Sequence, residues 1–263
     1  MASPSPLVAS LVVVVTAKSA APNADGGRRG SARHGVALMT VLGVAAILAG
    51  CDRSVESAPA GSAAPRPAAA QSTQDAAAYD ISRVDAVKDD FPEGFTAQAH
   101  PAKTLGQQDI AGSGVVAFTD AQFDPPQCRS VVIPPYVDPT VGTEAAGVIG
   151  QGDQGNMYVV AMRSPKPVAT ADDPVGCDRI SLSGSPQATG TVERIPAPAI
   201  PGVSTTGVKL TVADPEEDPD YLYTAALNDR TSIVVMGSAD QQLDPQRLMS
   251  DLLVKAVAAV RGQ

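Results

Sequence analysis

The feature that most constrains this chain is a boundary. Residues 36–49 form an apolar, small-residue run that ends in Leu48-Ala49-Gly50-Cys51. Arg28, Arg29 and Arg33 stand just before the run. Residues 52–78, just after it, are rich in Ala, Ser, Pro, Gln and Gly with almost no large apolar side chain. The run is short for a membrane-spanning helix, which needs about 20 apolar residues, and has the length of a signal-peptide core. The stretch behind it buries too little to repay the entropy of ordering a chain. Folding is therefore expected only in residues 79–263 of the 263. That length suits one domain with a sizeable core.

Leu48-Ala49-Gly50-Cys51 resembles the lipobox of bacterial lipoproteins. The resemblance implies a thioether-linked diacylglyceryl group on Cys51 and cleavage before it. Small residues at 49 and 50 let a peptidase reach the backbone, and a thiol is the nucleophile for lipid transfer. Two or three acyl chains hold a protein on a bilayer where one holds it marginally. The expected location is the extracytoplasmic face of the cell membrane, anchored by lipid. Residues 1–50 are then the signal peptide. Within it, residues 1–27 contain a second apolar run at 7–15, read either as part of a long leader or as the product of a start codon upstream of the true one; the second is the expectation. Residues 51–78 are the lipidated cysteine and a flexible tether with a span of roughly 30 Å, taking about 5–6 Å × √n.

Charge narrows the partners. Four of the 19 basic residues and one of the 28 acidic residues precede Cys51, which leaves a net charge of −12 from Cys51 onward. Binding to nucleic acid requires Lys and Arg against phosphate, so no nucleic-acid partner is expected. Adhesion to anionic headgroups through surface charge is disfavoured for the same reason. The chain has no Trp, four Phe and five Tyr, so Val, Ile, Leu, Ala and Met must build the core. Abundant Ala, Pro, Gly, Val and Asp with little Lys is what a GC-rich, actinobacterial genome encodes.

The pattern of residues 79–263 is α+β. Ile81, Val84 and Val87 at helical spacing, with Asp80 as N-cap and Pro92 as stop, predict a helix. Residues 94–100 and 114–119 read as strands. Residues 124–128 open a short helix that ends before Pro134-Pro135, and 134–142 read as a loop. Residues 145–150 and 157–163 predict a hairpin around Asp153-Gln154-Gly155. Residues 179–183, 190–195 and 208–212 follow as strands, and 221–227 pairs with 231–236 around Asn228-Asp229-Arg230. Asp244 and Pro245 then begin a helix with Leu248, Leu252, Val254, Val257 and Val260 at helical spacing. The expected architecture is an antiparallel sheet with flanking helices and the C-terminal helix packed on it.

Chemistry-bearing patterns are few. His100 is the one histidine after Cys51, and its place before Pro101 reads as a surface loop. The run Asp214-Pro215-Glu216-Glu217-Asp218-Pro219-Asp220 is carboxylate-dense, but it lacks the Asp-x-Asp-x-Asp-Gly loop and its prolines restrict wrapping around a cation, so an acidic turn is the expectation. Gly112-Ser113-Gly114 and Gly150-Gln151-Gly152 lack the Lys and third Gly of a phosphate cradle and read as turns. Asp89, Asp90 and Glu93 are carboxylates of the kind a glycosidase uses, with nothing in sequence to fix their separation. No catalytic residue, metal or cofactor is assigned. Cys128 and Cys177 are the two thiols that remain once Cys51 carries lipid. Each lies beside loop-forming residues, and disulfides persist in exported proteins, so a Cys128–Cys177 bridge is expected. Two buried free thiols and a metal site are the alternatives.

Lipobox, tether, Asp90-Phe91-Pro92-Glu93-Gly94-Phe95, Pro126-Gln127-Cys128 and the later Cys177 together resemble mycobacterial lipoproteins whose domain is similar to the extracellular sensor domain of the PknH kinase. The resemblance implies an antiparallel sheet with helices around a cleft for an unidentified ligand. That sensor domain has two disulfides, whereas this chain has cysteines for one. The expected function is a non-enzymatic, membrane-anchored ligand-binding or sensing domain of the cell envelope. The alternatives are an envelope protein–protein adaptor and a carboxylate-dependent hydrolase. Fatty-acid labelling of the chain in a host that processes lipoproteins is expected to vanish in Cys51→Ala; label persisting in that variant would overturn the assignment of the anchor.

Overall fold

Residues 157–162, Met-Tyr-Val-Val-Ala-Met, are all buried. A strand with one wet face alternates apolar and polar side chains, so an unbroken apolar strand must be covered on both faces. That requirement organises the domain. The computed structural model describes residues 79–111, 121–169, 174–184, 189–212 and 218–263. The lipobox, the tether, the strand expected at 114–119, Gly112-Ser113-Gly114 and most of the acidic run at 214–220 lie outside the described residues.

The strands are β1 (Thr96–Thr104), β2 (Gln122–Asp124), β3 (Glu144–Gly152), β4 (Gly155–Arg163), β5 (Arg179–Ser183), β6 (Gly190–Arg194), β7 (Ser204–Val212), β8 (Asp220–Ala226) and β9 (Thr231–Ala239). They form a nine-stranded sheet in the order β1-β3-β4-β9-β8-β7-β6-β5-β2. Every pairing is antiparallel. The α+β expectation therefore holds, and both hairpins form where the turn residues place them. Asp153-Gln154 joins β3 to β4 directly after the Gly152–Gly155 pair. At the other hairpin, the Asn228 side-chain oxygen accepts from the backbone N–H groups of Arg230 and Thr231, which closes the turn.

One face of the sheet is covered by helices. A 3-10 helix spans Ile81–Asp90, and of the described α-helices, α1 (Gln107–Ala111), α2 (Arg129–Val132) and α3 (Pro245–Arg261), the last lies here beside it. Val84, Val87, Met249, Leu252, Leu253, Ala256, Val257 and Val260 pack there against Val148, Val159, Tyr223, Ile233 and Val235. The N-terminal helix was expected from helical spacing, and its apolar residues fall at 81, 84 and 87. That strict interval of three makes a straight ridge at 3.0 residues per turn and a skewed one at 3.6. Burial of the ridge holds ten residues in a form that ordinarily lasts three or four. Asp80 caps it by accepting from the Ser82 N–H at 3.0 Å. In α3 the cap and first-turn proline lie at Asp244 and Pro245 as expected. Its buried stripe differs from the reading: Val254 is 41% exposed, while Met249, Leu253 and Ala256, outside the expected set, are buried.

The second face is covered by a connection. A 3-10 turn at Pro126–Cys128, helix α2 (Arg129–Val132) and a 3-10 turn at Pro135–Val137 cross it. Val131, Val132, Ile133 and Val137 pack there against Val160, Met162, Ile180, Val192, Val208, Leu210 and Val234. Residues 134–142, expected as a plain loop, thus contain an ordered turn, because Val137 has an apolar surface to bury. His100 also departs from its expected loop. It lies within β1, paired with Gly147, and β1 runs on through Pro101 to Thr104. Pro101 is tolerated because β1 is an edge strand and its register shifts between His100 and Lys103.

Cys128 and Cys177 form the expected disulfide, with Cα atoms 5.5 Å apart and both residues buried. It ties the connection over the second face to the entry of β5. The 49-residue separation corresponds to roughly 4 kcal/mol in the loop-entropy account, an upper-end figure. At about 2–4 °C per kcal/mol for a domain of this size, Cys177→Ser is expected to lower the melting temperature by on the order of 10 °C and to expose one titratable thiol. An unchanged melting temperature would show that the bridge adds nothing to the cover.

Candidate functional site

The connection over the second face does not close against its neighbour. Between residues 135–143 and residues 164–168 lies an open cleft of about 200 Å³. Pro135, Tyr136, Asp138, Pro139, Thr140, Thr143, Met162, Ser164 and Val168 line it. Met162, on β4, is its one strand residue.

Each wall is fixed by a separate set of bonds. On one side the Ser164 N–H donates to Arg230 O at 2.8 Å and the Val168 N–H to Asp229 O at 2.6 Å. The Arg230 guanidinium in turn donates to Pro165 O at 2.9 Å. The turn of the β8–β9 hairpin therefore carries this wall. On the other side the Thr143 N–H donates to Thr140 O, and the Thr140 N–H donates back to the Thr143 hydroxyl at 3.1 Å. Leu105 and residues 142–143 exchange backbone bonds: Leu105 N–H to Thr143 O at 2.7 Å, Gly142 N–H to Leu105 O at 3.0 Å.

Tyr136 is held from beneath by the sheet. Its hydroxyl lies 2.9 Å from the Thr224 hydroxyl, which lies 2.7 Å from that of Thr206. The Ser232 hydroxyl donates to Tyr136 O at 2.7 Å. Thr224 and Ser232 are buried. Hydroxyls buried in an apolar layer cost free energy unless they find partners, and these find one another. They form a polar seam across β7, β8 and β9 under the otherwise apolar second cover. Tyr136, its hydroxyl engaged below, is one of the residues that line the cleft.

Asp138 is the one charged residue lining the cleft among the described residues, and it is exposed. No Lys or Arg pairs with its carboxylate among them. The carboxylates singled out in the sequence lie elsewhere. Asp90 ends the 3-10 helix on the first face and pairs with Lys255 at 2.7 Å, while Asp89 and Glu93 are exposed there. The structure does not bring these three into the cleft. Asp80 and Asp109 are both more acidic than an ordinary Asp. For Asp80 the chief cause is the Ser82 hydroxyl, then the Ser82 N–H; for Asp109 it is the Lys103 ammonium at 2.7 Å, then the Gly106 N–H. Burial pushes Tyr223 up to about 12, in the core of the first face. Among the described residues no three His, Cys, Asp or Glu side chains gather as a metal site. Nor is any of their helices long and apolar enough to cross a membrane.

The cleft escaped the sequence reading because its residues come from separated segments, among them 134–142, read as loop, and Met162, read in a strand. One signal was available: in a chain with five Tyr and no Trp, an aromatic between Pro135 and Val137 is conspicuous.

Comparison with known proteins agrees with the fold and adds no activity. Residues 80–261 match the family described as Domain of unknown function (DUF5642), and the chain belongs to that family. The X-ray structure of an uncharacterised protein from Mycobacterium smegmatis, the Rv0999 ortholog, is similar to it. The TM-score is 0.55 at 20% identity, with coverage of 70% of this chain and 98% of that one. That likeness concerns the fold. None of the curated proteins matches the sequence.

If the hydroxyl seam holds Tyr136, Thr224→Val is expected to cost about 1–3 kcal/mol by leaving buried hydroxyls without partners. Hydrogen exchange should rise at residues 135–138 beyond the global change. A stability loss spread evenly over the chain would contradict this role.

Proposed function

We propose that this chain is a lipid-anchored protein of the cell envelope whose domain binds a small ligand, or a small part of a larger one, in the cleft between residues 135–143 and 164–168. One observation carries the reading. Both walls of the opening are pinned by hydrogen bonds to β8, β9 and the turn between them, so the cavity is built before anything enters it. Preformed concave sites with apolar walls and a few placed polar groups are where small ligands bind. At about 200 Å³ the cleft lies below the roughly 300–1,000 Å³ of sites that enclose whole drug-sized molecules, so it suits a single side chain or headgroup.

The lipobox and tether support the envelope location: Cys51 would hold the chain on the membrane and residues 52–78 would lift the domain from it. The likeness to the PknH sensor domain, on the motifs quoted above, agrees with sensing rather than catalysis. An adaptor would call for a contiguous apolar patch. The exposed large apolar residues among those described are Val141 and Val175, in two different connections, and Val254, in α3.

The test is a thermal-shift screen of the full chain against envelope lipids, glycans, short peptides and amines. A ligand at about 100 times its Kd adds roughly 2.7 kcal/mol to stability. The expected result is at least one such ligand, with its shift lost in Thr140→Trp, which fills the opening from an exposed position. Shifts that persist in that variant, or no shift from any class, would contradict the cleft as the site.

A further inference from the structure

The chemistry of the cleft selects among ligands, and the following rests on the reading of the cleft as a binding site. We infer that the cleft takes an alkylammonium group, its stem against the apolar walls and its head on Asp138. Asp138 is an exposed carboxylate with no cationic partner among the described residues. Among the described residues nothing of opposite sign lines the opening, so an anion would meet the Asp138 charge uncompensated there. The other described residues that line it are the apolar or aromatic Pro135, Tyr136, Pro139, Met162 and Val168 and the hydroxyl-bearing Thr140, Thr143 and Ser164. A Tyr ring attracts a cation over its face. The hydroxyl that would otherwise compete for the ligand is engaged with Thr224 at 2.9 Å.

Size agrees with this assignment. A space of about 200 Å³ equals roughly six or seven waters, which admits a short alkyl chain with its ammonium. The same chemistry is carried by free envelope amines and by the side chain of lysine in a peptide. The net charge of −12 from Cys51 onward favours the approach of either.

The experiment is an NMR titration of the full chain, labelled at the methionine methyls, with four probes: n-butylammonium, N-acetyl-lysine methylamide, butanoate and n-butanol. Butylammonium is expected to move the Met162 signal, with butanol and butanoate at least about tenfold weaker, as loss of a charge-assisted contact implies. Asp138→Asn should weaken butylammonium by about tenfold without altering the melting temperature, since the residue is exposed. If the lysine derivative binds as well as butylammonium, the site accepts a lysine in a peptide; if it does not, the site is for free amines. Equal binding of butylammonium and butanol, or a preference for butanoate, would overturn the ammonium assignment while leaving a binding cleft. A Met162 signal that none of the four probes moves would overturn the ammonium assignment too. A screen by thermal shift that then finds no ligand of another class would remove the cleft reading as well.

Discussion

Burial of the central strands on both faces is the constraint from which the rest of this structure follows. In β4, odd-numbered residues from Met157 to Ala161 enter the first core, while Val160 and Met162 enter the second. Each buried aliphatic side chain contributes roughly 1.5–3 kcal/mol, and leaving either face wet would forfeit several such terms at once. Two covers are therefore obligatory, and they are built differently. The first is made of helices whose own periodicity supplies an apolar stripe. The second is a chain segment with little regular structure, so it needs other fastenings: the Cys128–Cys177 bridge, the Tyr136–Thr224–Thr206 hydroxyls, and the four-residue burial of Val131, Val132, Ile133 and Val137.

That difference explains where the cleft lies. A helix laid on a sheet interdigitates with it along its length and leaves little room. A connection pinned at points touches the sheet only at those points. Between the pins at Tyr136 and Thr143 on one side and Ser164 and Val168 on the other, the cover opens. The opening is a by-product of how the second face is closed, and the placement of Asp138 and Tyr136 at it gives it chemical character. Glycine enters this account at one place on the first face. Gly150 faces the ring of Phe91, and a Cβ there would occupy the ring's space, so the 3-10 helix closes over β3 only because position 150 has no side chain.

Elements that carry their own local signal were legible in the sequence. Asp244-Pro245 and the following stripe gave α3; Asp153-Gln154-Gly155 and Asn228 gave the two hairpins; Pro125-Pro126 and Pro174-Val175-Gly176 gave loops beside the two cysteines. What tertiary contact decides was not legible. The 3-10 form of residues 81–90 depends on a sheet that accepts a ridge at intervals of three. The continuation of β1 past Pro101 depends on its place at the edge. The three-residue β2 exists only because β5 lies beside it. The cleft belongs to this second class, since Asp138 and Val168 meet only after β3, β4 and β9 have set their loops side by side.

The central claim is that one sheet carries two covers held by independent means, with the disulfide securing the one that bears the cleft. Hydrogen exchange of the full chain, compared between its oxidised form and the form reduced at Cys128 and Cys177, tests it most directly. The account predicts faster exchange at residues 126–143 and in β5 on reduction, with the amides of α3 and of the 3-10 helix at 81–90 unchanged. Equal acceleration in α3, or no change at residues 126–143, would contradict it.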